Sequence, residues 1–234
     1  MTPVVVMAGG LGLRLHALTK DRPKPLLPVG NKTLLETIID GFRDQGFRKI
    51  WLTVHYRAEM IEDYFGDGSK MGVQIRYIEE REPLGTAGGL KLLPKFDVPF
   101  IVSNADIIFM PPVQYNQMLE EHAKANALMT ICGALHQHQV PFGVLDLEST
   151  GRISGIREKP IENFMVNAGV YVMDPQALEY MPAGAFDLPY LVERLPKTGP
   201  RSGTAVFAHQ GQWQDLGHFE ALARVHLMRT VGAL

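Results

Sequence analysis

The sequence predicts an α/β fold in which a mainly parallel sheet is covered by helices and extended, in the second half, by antiparallel strands. Three observations predict it. Short β-branched runs alternate with longer amphipathic ones through the first half, strand-like runs crowd together after Asp106, and no repeat, low-complexity tract or linker interrupts the 234 residues.

Taken in order, strands are expected over residues 3–7, 48–54, 73–78 and 100–102. Between the first two, Leu34, Leu35, Ile38, Ile39 and Phe42 recur at three- and four-residue spacing, which marks one apolar face of a helix that Gly46 can stop. A second helix is expected over 58–65 and a third over 114–126. Strands then follow over 127–135, 143–147, 152–156 and 163–173. Short helices are expected over 175–180 and 188–195, a returning strand over 204–208, and a closing helix over 219–230. The length suits one compact unit, 1–234, with the second half built onto the first and sharing its cleft.

Composition excludes several classes of function. Hydrophobic residues make up 46% and charged residues 21%, so the chain can bury a core and is not disordered. Twenty-five acidic against 23 basic residues leave a formal charge of -2, so no broad basic surface exists for nucleic acid or anionic lipid. Phosphate binding, if present, must be local. The apolar opening stretch has no basic leader and is too short to span a bilayer, which points to the cytoplasm. The single cysteine, Cys132, lies in an apolar run and can form neither an intramolecular disulfide nor a thiolate metal site. It reads as a buried strand residue.

The first strand runs into Ala8-Gly9-Gly10-Leu11-Gly12-Leu13-Arg14, where glycines let backbone N–H groups approach an anion without a Cβ in the way. Alone this turn also fits a dinucleotide-binding fold or an ordinary tight turn. Downstream comes Arg22-Pro23-Lys24-Pro25-Leu26, whose prolines oppose a helix and predict an extended path that holds Lys24 in place.

Together, the glycine turn with Arg14 and the Pro23-Lys24-Pro25 segment resemble the signature of the sugar nucleotidyltransferases. The resemblance continues at Glu82-Pro83-Leu84-Gly85-Thr86-Ala87-Gly88-Gly89, Asn104-Ala105-Asp106, Glu158-Lys159-Pro160, Val166-Asn167-Ala168-Gly169 and Trp213-Gln214-Asp215-Leu216-Gly217, so it spans almost the whole chain. It implies a Rossmann-like mixed sheet flanked by helices with a smaller antiparallel sugar-binding lobe. Residues 1–111 would mainly hold a nucleoside triphosphate and 112–234 a sugar-1-phosphate, which agrees with the pattern read from the residues. The sequence departs from the family at Ala105, where a glycine is usual, at Leu13, where a small polar residue is usual, and at His16-Ala17, which replaces a basic-proline pair.

Nucleotidyl transfer brings a phosphate oxygen to the α-phosphorus of a triphosphate while pyrophosphate leaves, so like charges must be forced together. Catalysis is then mostly alignment and cation placement, with Mg2+ held by one or two carboxylates. Asp106 follows a buried-looking strand, at the carboxyl end where ligands bind in open α/β sheets. The resemblance pairs it with Asp215 as a second metal ligand. Taken singly, Asp106 reads rather as the cap of a turn over 107–112 and Asp215 as the cap of the last helix, and only the full set of motifs favours metal binding. By resemblance, Arg14, Lys24 and Asp106 are catalytic, the two cations steadying charge on the triphosphate. Ala8, Gly9, Gly10, Gly12, Gly85 and Thr86 would contact the nucleotide, and Gly143, Glu158, Lys159 and Asn167 the sugar phosphate.

Guanine offers adjacent N1–H and N2–H donors that one carboxylate can accept together. Glu80, where relatives binding thymine or uracil commonly carry an amide, therefore points toward GTP; a solvated acidic cluster of Glu79, Glu80 and Glu82 is the competing reading. The same segment is most similar to hexose-1-phosphate guanylyltransferases, with glucosamine-1-phosphate first and mannose-1-phosphate second. His136 and His138 read as solvent-facing loop residues for want of a third ligand. A dehydrogenase would require an acidic residue after the second strand, where His55-Tyr56-Arg57 stands. Retention of Lys24, Asp106 and Asp215 argues against an inactive regulatory subunit. A homo-oligomer is compatible with the sequence.

Overall fold

The computed structural model describes residues 2–10, 12 and 15–230. Its elements in chain order are β1 (Val4–Met7), α1 (His16–Thr19), a 3-10 turn at Lys24–Leu26, β2 (Pro28–Val29), β3 (Lys32–Thr33), α2 (Leu34–Arg43), β4 (Lys49–Val54), α3 (Ala58–Phe65), β5 (Gln74–Glu79), β6 (Phe100–Asn104), β7 (Ile107–Met110) and α4 (Tyr115–Ala125). The second half continues with β8 (Met129–Gln139), β9 (Gly143–Leu147), β10 (Ile153–Glu158), β11 (Ile161–Met173), a 3-10 helix at Pro175–Tyr180, α5 (Leu191–Arg194), β12 (Thr204–His209), β13 (Gln212–Asp215) and α6 (Phe219–Thr230).

Alternation along the strands divides the core between two faces of one sheet. Val4 and Val6 of β1 pack with Ile50, Leu52 and Val54 of β4 on one side. Val5, Trp51, Phe100 and Val102 point to the other, where Leu188, Leu191 and Leu195 cover them. Helix α2 closes the first face with Leu34, Leu35, Ile38, Ile39 and Phe42, all buried as their spacing predicts. Each such side chain contributes about 1.5–3 kcal/mol of burial. Its start is fixed by a capping box: the Glu36 N–H donates to Thr33 Oγ1 and the Thr33 N–H donates to the Glu36 carboxylate.

Among the described residues the main sheet has seven strands in the order β12-β8-β11-β6-β1-β4-β5. β1 runs parallel to both β4 and β6, β4 to β5, and β12 to β8; β11 opposes both of its neighbours. The α/β, mainly parallel sheet flanked by helices is therefore present. The second half is built onto the first, because β8, β11 and β12 extend the sheet of the first half. What projects beyond it is the far ends of β8 and β11 together with the two-stranded β9–β10 hairpin.

The register of β11 against β8 breaks between Asn167 and Tyr171. A bulge of this kind bends a strand and re-aims its side chains. Here it separates the half of β11 that lies in the sheet from the half that pairs with β8 alone. Gly169 occupies the break at φ 79, and a Cβ there would fall 2.6 Å from Asn104 Nδ2. Only glycine fits.

Three local expectations require correction. Lys24 does not lie on an extended path but opens the 3-10 turn, with Pro23 extended before it and Leu27 extended after it. Proline is tolerated in the first turn of a helix, because its missing N–H has no partner to lose there. The segment after Asp106 is not a turn but β7, paired antiparallel with β13 so that Asp215 lies opposite Ile107. His136 and His138 are exposed on β8 instead of in a loop. Cys132 is fully buried in β8, and burial pushes its thiol up to about 12. No helix among the described residues is long and apolar enough to cross a membrane.

Candidate functional site

At the carboxyl ends of β1, β5 and β6 the structure opens a cleft of about 590 Å³. Ala8, Gly9, Gly10, Gly12, Lys24, Glu80, Gly85, Thr86 and Asp106 all line it, although they come from five separate stretches of sequence. Arg14, and with it Leu13, lies outside the described residues.

The glycines of the first loop differ in what they answer to. A Cβ on Gly9 would sit 3.2 Å from Glu80 Oε1, and Gly12, at φ 61, would meet Thr19 Cγ2 at 3.1 Å. Around Gly10, by contrast, no atom of the described residues other than its chain neighbours lies within 4 Å of a Cβ position, and Gly10 lines the cleft. The loop is closed by Leu15 N–H donating to Gly12 O, and the Thr19 hydroxyl donates to Leu15 O.

Lys24 reaches the cleft from its 3-10 turn, which the Leu26 N–H to Pro23 O and Leu27 N–H to Lys24 O hydrogen bonds hold shut. Its ammonium lies 2.5 Å from Asp106 Oδ2, and both side chains are largely shielded, at 11% and 25% exposed. Asp106 is placed by the end of β6 and by Leu216, whose N–H donates to the Asp106 carbonyl at 2.8 Å. That bond belongs to the β7–β13 ribbon, so the backbones of Asp106 and Asp215 are neighbours across it although 108 residues intervene. Asp215 Oδ1 accepts the Gly217 N–H at 2.7 Å, and Gly217 itself lines the cleft. Trp213 anchors the ribbon by donating its indole N–H to Ala168 O, inside the β11 bulge.

At the other end of the cleft stands Glu80, only 6% exposed. Burial raises its carboxyl above the usual range, opposed by the Leu84 N–H that donates to Oε2. Gly89 makes room for it, since a Cβ there would fall 2.4 Å from Glu80 Oε1. Its main chain is fixed too: the Glu80 N–H donates to Val54 O, and Glu80 O meets His55 Nδ1 at 2.7 Å. A buried carboxylate in this position does not belong to a solvated acidic cluster.

None of the residues expected for the sugar phosphate lines this cleft, and they fall into two groups. Asn167 stands in the bulge beside Asn104, donating to the Tyr171 hydroxyl at 2.8 Å and accepting the Gly169 N–H at 3.0 Å. Gly143, Glu158 and Lys159 are brought together, with Gly143 opposite Glu158 and the Lys159 N–H donating to Phe142 O, but on the exposed hairpin and not among the residues lining the cleft. Lys159 has φ 45 there. No group of three or more His, Cys, Asp or Glu among the described residues forms a metal cage of protein ligands alone.

Sequence reasoning assigned no role to Asn104, which lines the cleft with Asp106, or to Asp187, which braces the 84–88 loop. The first sat within a motif already quoted. The second lies in an irregular segment without periodicity or motif.

A profile of the nucleotidyl transferase family matches residues 3–230. Mannose-1-phosphate guanyltransferase of Yarrowia lipolytica is 36% identical over 91% of this chain and 60% of its own length. UTP–glucose-1-phosphate uridylyltransferase of Synechocystis is 30% identical, over 91% of this chain and 59% of its own. The chain thus spans about 60% of the length of these curated relatives. HddC from Yersinia pseudotuberculosis, solved in complex with GMP-PN, superposes with a TM-score of 0.73 at 26% identity, over 97% of this chain and 99% of that one.

Proposed function

The chain belongs to the nucleotidyl transferase family, and on that premise we propose that it couples GTP to a sugar-1-phosphate, releasing an NDP-sugar and pyrophosphate. The observation that carries the reading is the polarity of one cleft: a buried carboxylate, Glu80, at one end, and the Lys24–Asp106 pair beside an open glycine loop at the other. A base and a triphosphate have this same polarity. The relative from Yarrowia lipolytica is a guanyltransferase and the Yersinia structure holds a guanine nucleotide, which favours GTP. The relative from Synechocystis makes UTP the alternative.

In the proposed arrangement, Glu80 accepts the guanine N1–H and N2–H, and the amides of the Gly9–Gly12 loop donate to phosphate oxygens. Lys24 holds the charge that develops at the α-phosphorus, and Arg14 grips the departing pyrophosphate. Asp106 and Asp215, whose backbones the β7–β13 ribbon sets side by side, would hold a hard divalent cation, Mg2+ first, since carboxylate oxygens are the donors such an ion takes. When bound, that ion would neutralise phosphate charge and align the reacting groups. Asn167, Gly143, Glu158 and Lys159 serve the sugar phosphate; the Glu158-Lys159-Pro160 motif and the position of Asn167 in the bulge support this. Glucosamine-1-phosphate is the first candidate acceptor and mannose-1-phosphate the second. The work is placed in the cytoplasm.

A panel of GTP, ATP, UTP and CTP against several sugar-1-phosphates, read by pyrophosphate release, tests the reading. Turnover is expected with GTP and a hexose-1-phosphate, and silence with every pair would sink it. In Glu80→Gln one of the two acceptors is replaced by a donor, so kcat/KM for GTP should fall by about 10–100-fold relative to the other triphosphates. An unchanged base preference in that variant would remove Glu80 from the base site.

A further inference from the structure

The rim of the cleft formed by Leu84, Gly85 and Thr86 is not self-supporting. It is tied to a loop a hundred residues away in sequence. The Thr86 N–H and the Thr86 hydroxyl both donate to Asp187 Oδ1, at 2.9 and 3.1 Å, and the Leu188 N–H donates back to Thr86 Oγ1 at 3.0 Å. Main-chain bonds run alongside: the Ala87 N–H donates to Phe186 O and the Phe186 N–H to Leu84 O, both at 2.9 Å. The fit is close enough to demand glycine. At Gly85, φ 73, a Cβ would lie 2.8 Å from Phe186 O and 2.9 Å from Asp187 Oδ1.

Asp187 does not line the cleft, whereas Leu84, Gly85 and Thr86 do. The Thr86 hydroxyl is held by the brace, giving its hydrogen to Asp187 and taking one from Leu188. Leu84, one hydrogen bond away along the same brace, donates its own N–H to Glu80 Oε2. Displacing the brace would therefore disturb both the rim and the carboxylate behind it. The Lys24–Asp106 end of the cleft receives nothing from this network.

We infer that Asp187 is a positioning residue for the nucleotide: through Thr86 it fixes the base-side wall of the cleft, and so sets nucleotide affinity without taking part in the transfer. The inference rests on the reading of this cleft as a nucleotide site. Because Oδ1 acts only as an acceptor, an amide oxygen can replace it, and the negative charge is dispensable.

The test compares wild type, Asp187→Ala and Asp187→Asn by titration with each of GTP, ATP, UTP and CTP, and by steady-state kinetics with the best pair of substrates. Asp187→Ala should weaken the Kd and KM of the preferred triphosphate by about tenfold, with kcat and the sugar-1-phosphate KM within about twofold of wild type. Asp187→Asn should restore the nucleotide constants to within about threefold. Unaltered nucleotide binding in Asp187→Ala would overturn the inference. So would a proportional loss in all three constants, or an asparagine variant as impaired as the alanine one. If the wild type binds a triphosphate but never releases pyrophosphate, the proposed reaction fails while the Kd values still decide the role of Asp187. If it binds none of the four, both fall.

Discussion

Lys24 and Asp106 neutralise one another at 2.5 Å in the structure, at the place where a triphosphate would present its own negative charge. Such a pair can be opened by a substrate, since each member finds a new partner of the opposite sign. Its worth to folding is small, about 0–1 kcal/mol for a pair that keeps contact with solvent. Lys24→Ala and Asp106→Asn are therefore expected to lower pyrophosphate release by about 100-fold or more while moving the melting temperature by only a few degrees. Activity assays beside thermal melts check both halves of this expectation.

His122 makes the opposite kind of prediction, one about stability alone. It is 2% exposed, its Nδ1 bonds the Thr130 hydroxyl at 2.8 Å, and its Nε2 has no hydrogen-bond partner among the described residues. Burial, with help from nearby Arg201, holds the imidazole down to about 4 from its usual 6.5. The unfolded chain thus takes up a proton at a higher pH than the folded one. Stability from this residue is complete above 6.5 and is lost as the pH falls toward 4. Between pH 7 and pH 5 the loss should be about 2 kcal/mol. Denaturant titrations at the two pH values read it, and His122→Asn should lose correspondingly less.

At the scale of elements, what the sequence made legible was local. The helix around Ile38 could be placed because one turn repeats the next, and β1, β4 and β5 because each is an apolar run with breaks at both ends. The β7–β13 ribbon left no such trace. Gln212-Trp213-Gln214-Asp215 has no strand pattern of its own, and its partner lies a hundred residues upstream. The Lys24 turn was misread because two prolines were weighed as helix breakers, when the first turn of a helix accepts them. β8 continues past its apolar stretch through His136 and His138, since an arm without a covering layer can carry polar residues on strand backbone. In the site, nine of the expected residues meet in one cleft, yet the brace from Asp187 could not be foreseen from a loop without periodicity.

The bulge of β11 carries Asn167, the residue proposed for the sugar phosphate. Gly169→Ala must place a methyl 2.6 Å from the Asn104 amide while holding a backbone at φ 79. A destabilisation of about 1–3 kcal/mol is expected, together with a fall in turnover because Asn104 lines the same cleft as Asp106. Chemical denaturation and a pyrophosphate assay on the same preparation separate the two effects. Asn104→Ala should relieve part of the first and none of the second.

For the whole molecule, the cleft draws walls from both ends of the sequence, so a nucleotide that fills it must favour the folded state over the unfolded one. At a hundred times its Kd, GTP should add about 2.7 kcal/mol, which for a chain of this size is about 5–10 °C in the melting temperature. A smaller shift from UTP at the same concentration would agree with the base preference argued above; an equal or larger one would count against it.

The ribbon that brings Asp215 beside Asp106 also fixes the order in which this protein can become competent during synthesis. All seven strands of the main sheet are contained in residues 4–209, and β13 begins only at Gln212. A nascent polypeptide can thus lay down all seven strands of this sheet before Asp215 has left the ribosome. On the proposed reading, a chain cut off before Gln212 would carry the sheet without Asp215, so the scaffold would precede the transfer site in synthesis.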